Sequence, residues 1–180
     1  MKKIVILIFI TGFISLYATA QESYINKRLN FKMGYARYPE ASLGENTSNF
    51  RIGANYGFTD YIEAGIYVGY GIHNNYYRVT PGEGTMMFNS NTLFYGINGN
   101  FHILPYFIKK PNFRFDVYAS GKLGAYNSFA PENSILSNGM ALDYGIYGGV
   151  SFYPWKHLGL YAEYGYGNKT NLRYGITLKF

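Results

Sequence analysis

The sequence predicts an all-β chain of eight antiparallel strands wound up and down into a closed barrel, apolar outside and polar and glycine-rich inside. Three observations carry this. Eight segments alternate with a period of two, the spacing of a strand, and no segment past residue 20 sustains the helical period. Sorted by that period, the charges fall on one face and the large apolar side chains on the other. The third is composition: 21 Tyr, 14 Phe and 22 Gly stand against only 14% charged residues. Tyrosine favours strands and surfaces that are part apolar and part wet, whereas glycine is normally depleted from strands and needs a special reason there.

The strands are expected at about 29–38, 49–58, 61–72, 91–103, 113–126, 141–153, 158–167 and 170–180. In the first, Phe31, Met33 and Tyr35 oppose Lys32 and Gly34. In the second, Phe50, Ile52, Ala54, Tyr56 and Phe58 oppose Arg51, Gly53, Asn55 and Gly57. The third sets Ile62, Ala64, Ile66, Val68, Tyr70 and Ile72 against Glu63, Gly65, Tyr67, Gly69 and Gly71. The fourth sets Leu93, Tyr95, Ile97, Phe101 and Ile103 against Gly96, Asn98, Asn100 and His102. In the fifth, Phe113, Phe115, Val117, Ala119 and Leu123 alternate with Arg114, Asp116, Tyr118, Lys122 and Gly124. In the sixth, Leu142, Tyr144, Ile146, Val150 and Phe152 alternate with Asp143, Gly145, Tyr147 and Gly149. The seventh offers Leu158, Leu160, Ala162, Tyr164 and Tyr166 against Gly159, Tyr161, Glu163 and Gly165. The last offers Leu172, Tyr174, Ile176, Leu178 and Phe180 against Arg173, Gly175, Thr177 and Lys179.

None of the apolar-face residues named above is charged, and the question is which face points outward. In a water-soluble barrel the polar face would, and its many glycines would gain nothing from solvent. Turned inside out, the same glycines have a use: an eight-stranded lumen is narrow, and Tyr67, Tyr118, Tyr147 and Tyr161 fit only where neighbours lack side chains. A lipid-facing exterior also requires closure, because hydrocarbon tolerates sheet only when every backbone amide is paired.

The connections agree. Those after strands one, three and five (39–48, 73–90 and 127–140) are long and polar, while Thr59-Asp60 and Pro154-Trp155-Lys156-His157 are short. Long loops on one side and short turns on the other are the asymmetry of bacterial membrane barrels, and an even strand number places both termini on the short-turn side. Tyr61, Tyr106, Phe107, Tyr153 and Trp155 fall at the short-turn end, where an aromatic girdle belongs. Tyr38, Tyr70, Tyr76, Tyr77 and Tyr126 are candidates for the girdle at the other end.

Residues 1–20 read as a secretion signal: Lys2 and Lys3, an apolar run from Ile4 to Tyr17, then Ala18-Thr19-Ala20 before Gln21. The run is short of the roughly 20 apolar residues that span a bilayer as a helix. Cleavage there leaves one domain, 21–180, and losing Lys2 and Lys3 lowers the formal charge from +6 to +4. With no cysteine the mature chain has neither a lipidation site nor disulfides. Its longest basic run is Lys109-Lys110, which with export argues against a nucleic-acid partner.

Signal, size, eight alternating strands and a terminal strand ending on Phe180 together resemble the small eight-stranded outer-membrane β-barrels of Gram-negative bacteria, the OmpA-barrel and OmpX-like group. The resemblance covers 21–180. It implies an integral outer-membrane location with both termini in the periplasm. It also implies that Tyr174, Ile176, Leu178 and Phe180 form the signal read by the barrel-assembly machinery. A wall-anchoring role is not expected.

Hairpin arithmetic names the meetings expected inside. A last turn centred near Asn168 sets Glu163 opposite Arg173, and one centred near Glu132 and Asn133 sets Lys122 opposite Asp143. Centres near Gly82 and near Ile108 set His102 opposite both Glu63 and Arg114. Two upper ion pairs and a lower cluster of Glu63, His102, Arg114 and Asp116 follow. Such a cluster acts either as a gate or proton-active site, or as a plug whose charges neutralise one another where bulk water does not fit; the plug is the expectation.

No catalytic, cofactor or metal site is expected. Two barrels of this size modify lipid A, but the pattern of a His with a Ser two residues on is missing, since Leu158 and Gly159 follow His157. Gly167-Asn168-Lys169-Thr170 lacks the upstream glycine and following helix of a phosphate loop and reads as a tight turn. Histidines and acids show no metal-ligand spacing. The expected role is non-enzymatic: a plugged barrel giving envelope integrity or surface contacts with an extracellular ligand or host surface through 73–90 and 127–140. The alternatives are a narrow channel for ions or small solutes and a lipid A modifying enzyme.

Overall fold

The computed structural model describes residues 25–37, 47–80, 83–107, 114–129 and 139–180, with the backbone alone for 47–48, 73–80 and 83–89. The expected secretion signal and Tyr38 lie outside the described residues. Eight strands follow one another: β1 (Leu29–Arg37), β2 (Thr47–Gly57), β3 (Ile62–Thr80), β4 (Glu83–His102), β5 (Phe115–Phe129), β6 (Gly139–Phe152), β7 (Leu158–Gly167) and β8 (Leu172–Lys179). Each pairs antiparallel with the next, and β1 closes on β8. The fold is a closed, all-antiparallel, up-and-down barrel.

Side-chain parity is inverted relative to a water-soluble protein. Ile66, Ile97 and Ile146 are 65%, 61% and 75% exposed, while Glu63, Tyr118 and Asp143 are 1%, 1% and 0% exposed. An apolar belt around a charged interior is the surface of a barrel solvated by hydrocarbon. Outward aromatics pair across neighbouring strands, with Tyr35 against Phe50 at 5.6 Å and Phe115 against Phe152 at 4.8 Å between ring centroids.

The seam between first and last strands is doubly bonded at its end, where Leu29 and Phe180 exchange N–H···O bonds of 2.9 and 2.8 Å. The Phe180 ring lies between Phe31 (6.2 Å) and His157 (5.8 Å). Tyr174, Ile176 and Leu178 alternate outward above it, so the terminal motif is the outer surface of the closing strand.

At the end holding the termini, hereafter the turn end, Thr59 Oγ1 accepts from the backbone N–H groups of Tyr61 and Ile62, tightening the β2–β3 turn. A single 3-10 turn, Leu104–Tyr106, follows β4. Tyr61 stacks on Tyr106 at 4.2 Å there, and Phe107 and Trp155 are exposed beside the belt.

Two expected girdle residues belong to the interior instead. Tyr153 keeps the parity of Ser151, is buried, and packs where Gly159 leaves it room, since a Cβ on Gly159 would lie 2.7 Å from the ring. Tyr126 faces inward from β5, its ring 5.9 Å from Phe94. Both fit the period-two rule, which outranks their chemical preference for an interface.

At the opposite, loop end, the segment expected to be a loop at 73–90 is largely strand. β3 and β4 stay paired from His73↔Ser90 out to Thr80↔Glu83, while among the described residues the β2 ladder reaches Thr47↔His73 and the β5 ladder Asn91↔Phe129. Among the described residues the β3–β4 hairpin thus runs past both neighbouring ladders. Its sequence explains the pairing: Tyr76, Tyr77, Val79 and Phe88 are strong strand formers. The β7–β8 turn is tight, and Asn168 extends the β6 edge with its side chain, accepting from Tyr144 N (3.0 Å) and donating to Leu142 O (2.5 Å).

Candidate functional site

Among the described residues the interior is where chemistry concentrates, and its groups form three connected layers. Nearest the loop end, β6 delivers Asp143. Its Oδ1 accepts from Lys122 Nζ at 2.8 Å, and its Oδ2 accepts from Arg51 Nη1 at 3.0 Å and Tyr67 OH at 2.8 Å. Arg51 spreads its guanidinium over the ring of Phe94 at 4.4 Å, an apolar side chain that is fully buried inside. Thr170, from the β7–β8 turn, folds into the mouth. It accepts from Lys122 Nζ (3.1 Å), and Tyr147 OH reaches its Oγ1 (2.8 Å) and donates to its carbonyl (3.0 Å).

The middle layer is centred on Glu163. Arg173 meets it at 2.7 Å, Lys32 at 3.1 Å and Tyr118 OH donates to it at 2.9 Å. The two cations also sit on aromatic faces, Lys32 over Tyr118 and Arg173 over Tyr147, each at 3.9 Å from the centroid. Burial of these ions is tolerable because carboxylate, phenol and ring quadrupole replace the water they lose.

The turn-end layer is centred on Glu63. Its carboxylate accepts from the side-chain amides of Asn30, Asn55 and Asn100, with Lys32 at 4.0 Å and His102 Nε2 at 3.6 Å. His102 Nδ1 lies 2.8 Å from Asp116 Oδ2. Thr177 donates to Asn30 Oδ1 at 2.6 Å, and Lys179 lies over Tyr153 at 4.2 Å. Beyond this layer the chain before β1 turns back on the barrel. Lys27 adopts φ 60°, its N–H donates to Gly57 O at 2.8 Å, and Ile25 is buried against Gly57.

Glycine makes the space for these layers. Gly96 and Gly124 are ladder partners beneath Tyr67, and a Cβ on Gly124 would lie 2.7 Å from both the Tyr67 hydroxyl and the Gly96 Cα. At Gly149 a Cβ would run into the Tyr118 ring. Outward Gly121 has nothing within 4 Å of its Cβ position, so its smallness serves no such purpose.

Of the residues singled out in the sequence, the structure brings Glu163 to Arg173, Lys122 to Asp143, and His102 to both Glu63 and Asp116. Arg114 is the exception. It precedes β5, is exposed, and contributes a backbone carbonyl to Tyr153 rather than a charge to the lumen. The ladders explain this: His102 pairs with Tyr118, four positions beyond Arg114 along the chain. Two other registers also differ from the hairpin arithmetic, with Glu63 opposite Asn100 and Lys122 opposite Gly145, so those ion pairs form diagonally. Asn30, Arg51, Phe94 and Thr170 complete the layers without having been named as partners. The parity signals Asn30, Arg51 and Phe94; nothing in the sequence signals Thr170, because it projects inward from a turn. Among the described residues no group of three acids or histidines is placed to hold a metal ion.

No protein-family model and no curated protein sequence matches the chain. Solved structures do. The chain is similar to the outer membrane protein OprG from Pseudomonas aeruginosa at TM-score 0.59 and 11% identity, covering 88% of this chain and 98% of that one. It is similar to the N-terminal β-barrel domain of Pseudomonas aeruginosa OprF at TM-score 0.50 and 17% identity, covering 86% and 98%. The Yersinia pestis outer membrane protein Ail, in a phospholipid bilayer nanodisc, is similar at TM-score 0.50 and 20% identity, covering 86% and 100%. At these identities the likeness is one of architecture. With its strand count, closure and inverted faces, the chain has the fold of the small eight-stranded outer-membrane β-barrels.

Proposed function

We propose that this protein is a non-enzymatic, integral outer-membrane barrel whose lumen is plugged and whose loop end provides surface contacts or envelope integrity. What supports the reading is the network of polar side-chain contacts across the interior. Side chains from all eight strands lock across it, from Thr170 at the loop end to Tyr153 and Ile25 at the turn end. In this reading residues 1–20 direct export and are removed, 21–180 form the barrel, and both termini lie in the periplasm. The outward row Tyr174, Ile176, Leu178 and Phe180 is what the assembly machinery reads.

The non-enzymatic reading is supported by what engages the histidines whose side chains are described. His102 stands between two carboxylates, and His157 is held by the Lys179 carbonyl at 2.7 Å and by the Phe180 ring. The β3–β4 hairpin supports the surface-contact reading, since among the described residues it runs past both neighbouring ladders, where an extracellular ligand or host surface can reach it.

Planar-bilayer recording of refolded protein tests the plug. Trace conductance is the expected result, and stable open steps would replace the plug with a narrow channel for ions or small solutes. Mass spectrometry of lipid A from cells with and without the gene tests the enzymatic alternative, with unchanged lipid expected.

A further inference from the structure

The loop-end layer carries more positive charge than its carboxylate neutralises. Asp143 alone answers both Arg51 and Lys122. The neighbouring carboxylate, Glu163, is already shared by Arg173 and Lys32. Among the described residues, two cations of this layer thus share a single carboxylate. One positive charge is left over.

A second, independent observation locates it. Among the described residues Arg51 Nη2 and Asn49 Nδ2 are buried N–H donors with no acceptor; the other such donor on a lumen cation, Arg173 Nε, belongs to a guanidinium whose Nη2 already meets Glu163. Asn49 is 1% exposed and Arg51 6%, and Arg51 Nε donates to Asn49 Oδ1 at 3.4 Å, so the two unanswered donors belong to one coupled pair. Their ladder neighbours bring no acceptor side chain: Ala36 and Gly71 flank Asn49, and Gly34 and Gly69 flank Arg51. A buried guanidinium with an unanswered donor and surplus charge is unstable unless something negative joins it.

We propose that one small monovalent anion of chloride size occupies the loop-end half of the lumen, held by Arg51 Nη2 and Asn49 Nδ2. Water would answer the donors and leave the charge; a divalent anion would overshoot it. The inference rests on the plugged lumen, because the ion is a fixed part of the filling and not a passing one. Bound there, it couples folding to anion concentration.

The test is the unfolding midpoint of the refolded full barrel in uncharged detergent, in sodium chloride and in sodium gluconate at equal ionic strength. Gluconate is a much larger monovalent anion than chloride. The expected result is a midpoint that rises with chloride and not with gluconate, the apparent folding constant gaining about tenfold per tenfold chloride once chloride exceeds its dissociation constant. Asn49→Asp supplies a fixed carboxylate beside Arg51. It should raise the midpoint in gluconate and abolish the response to chloride. Equal wild-type midpoints in the two salts, or an undiminished chloride response in Asn49→Asp, would overturn the proposal. Conductance reads the plug and the chloride shift reads the ion, so failure of either is seen separately.

Discussion

Glu163 and Arg173 are direct partners in the β7–β8 ladder, and their side chains meet inside the barrel at 2.7 Å. The same carboxylate also receives Lys32 from β1 and the Tyr118 hydroxyl from β5, so one side chain ties the closing seam to the opposite wall. Glu163→Ala removes all three partners at once and leaves two buried cations facing each other. Breaking a buried pair from one side costs about 3 to 5 kcal/mol. The variant is expected to unfold at clearly lower urea and to lose its folded gel band at lower temperature. Unchanged urea and heat resistance would count against the pairing.

The ion pairs around Asp143 predict an asymmetry. Asp143→Asn leaves Arg51 and Lys122 without their shared carboxylate and should cost about 3 to 5 kcal/mol, whereas Lys122→Met keeps the Arg51 pair and removes the surplus cation. The second change is expected to cost less than the first, because Asp143 keeps Arg51 and the Tyr67 hydroxyl as partners. Urea unfolding in micelles measures both. Equal losses would mean that Lys122 is structurally required for a reason beyond its charge.

Glycine placement gives a contrast within one strand. On β5, Gly124→Ala pushes a methyl against backbone atoms of β4 and the Tyr67 hydroxyl, while Gly121→Ala points into open space on the outer face. Overpacking of this kind costs about 1 to 3 kcal/mol. Gly124→Ala should therefore lower the unfolding midpoint, and Gly121→Ala should leave it at or above that of wild type. Matching midpoints for the two would remove the argument that lumen glycines exist to seat the tyrosines.

What was legible in the sequence follows from what a strand writes into it. A period of two needs no knowledge of partners, so the two faces, the closure and the inward positions of Glu163, Asp143 and Tyr118 can be read residue by residue. Register is different, because it depends on where a turn is centred. The β7–β8 turn is only a few residues long, which leaves its centre little freedom and sets Glu163 against Arg173. The connections after β4 and β5 are longer, and the short β3–β4 turn sits at the tip of a long hairpin inside a stretch expected to be loop, so there the partners slide: Glu63 meets Asn100, His102 meets Tyr118 and Lys122 meets Gly145. Arg114 shows a further limit, since parity continued past the end of a strand assigns a face to a residue that has left the sheet. Phe94 shows the converse. Hydrophobicity alone would send it outward, and only the parity of Thr92 and Gly96 and the guanidinium lying on its ring account for its burial.

The last prediction separates the two faces by charge. Ile66, Ile97 and Val150 are all more than half exposed on the apolar belt, each inside the ends of its strand. Arginine at any of them must remain in hydrocarbon or distort the bilayer to reach water, at a cost of about 2 to 4 kcal/mol near the midplane. Arginine at Asn133, in the polar sequence between β5 and β6, should change nothing. Folding each variant into phospholipid vesicles and measuring its stability in denaturant decides the matter. In detergent-free buffer the same belt would have no solvent to match it, so the unmodified barrel should fold only when lipid or micelles are supplied. Arginine tolerated equally at Ile97 and at Asn133 would mean that the apolar belt does not face lipid.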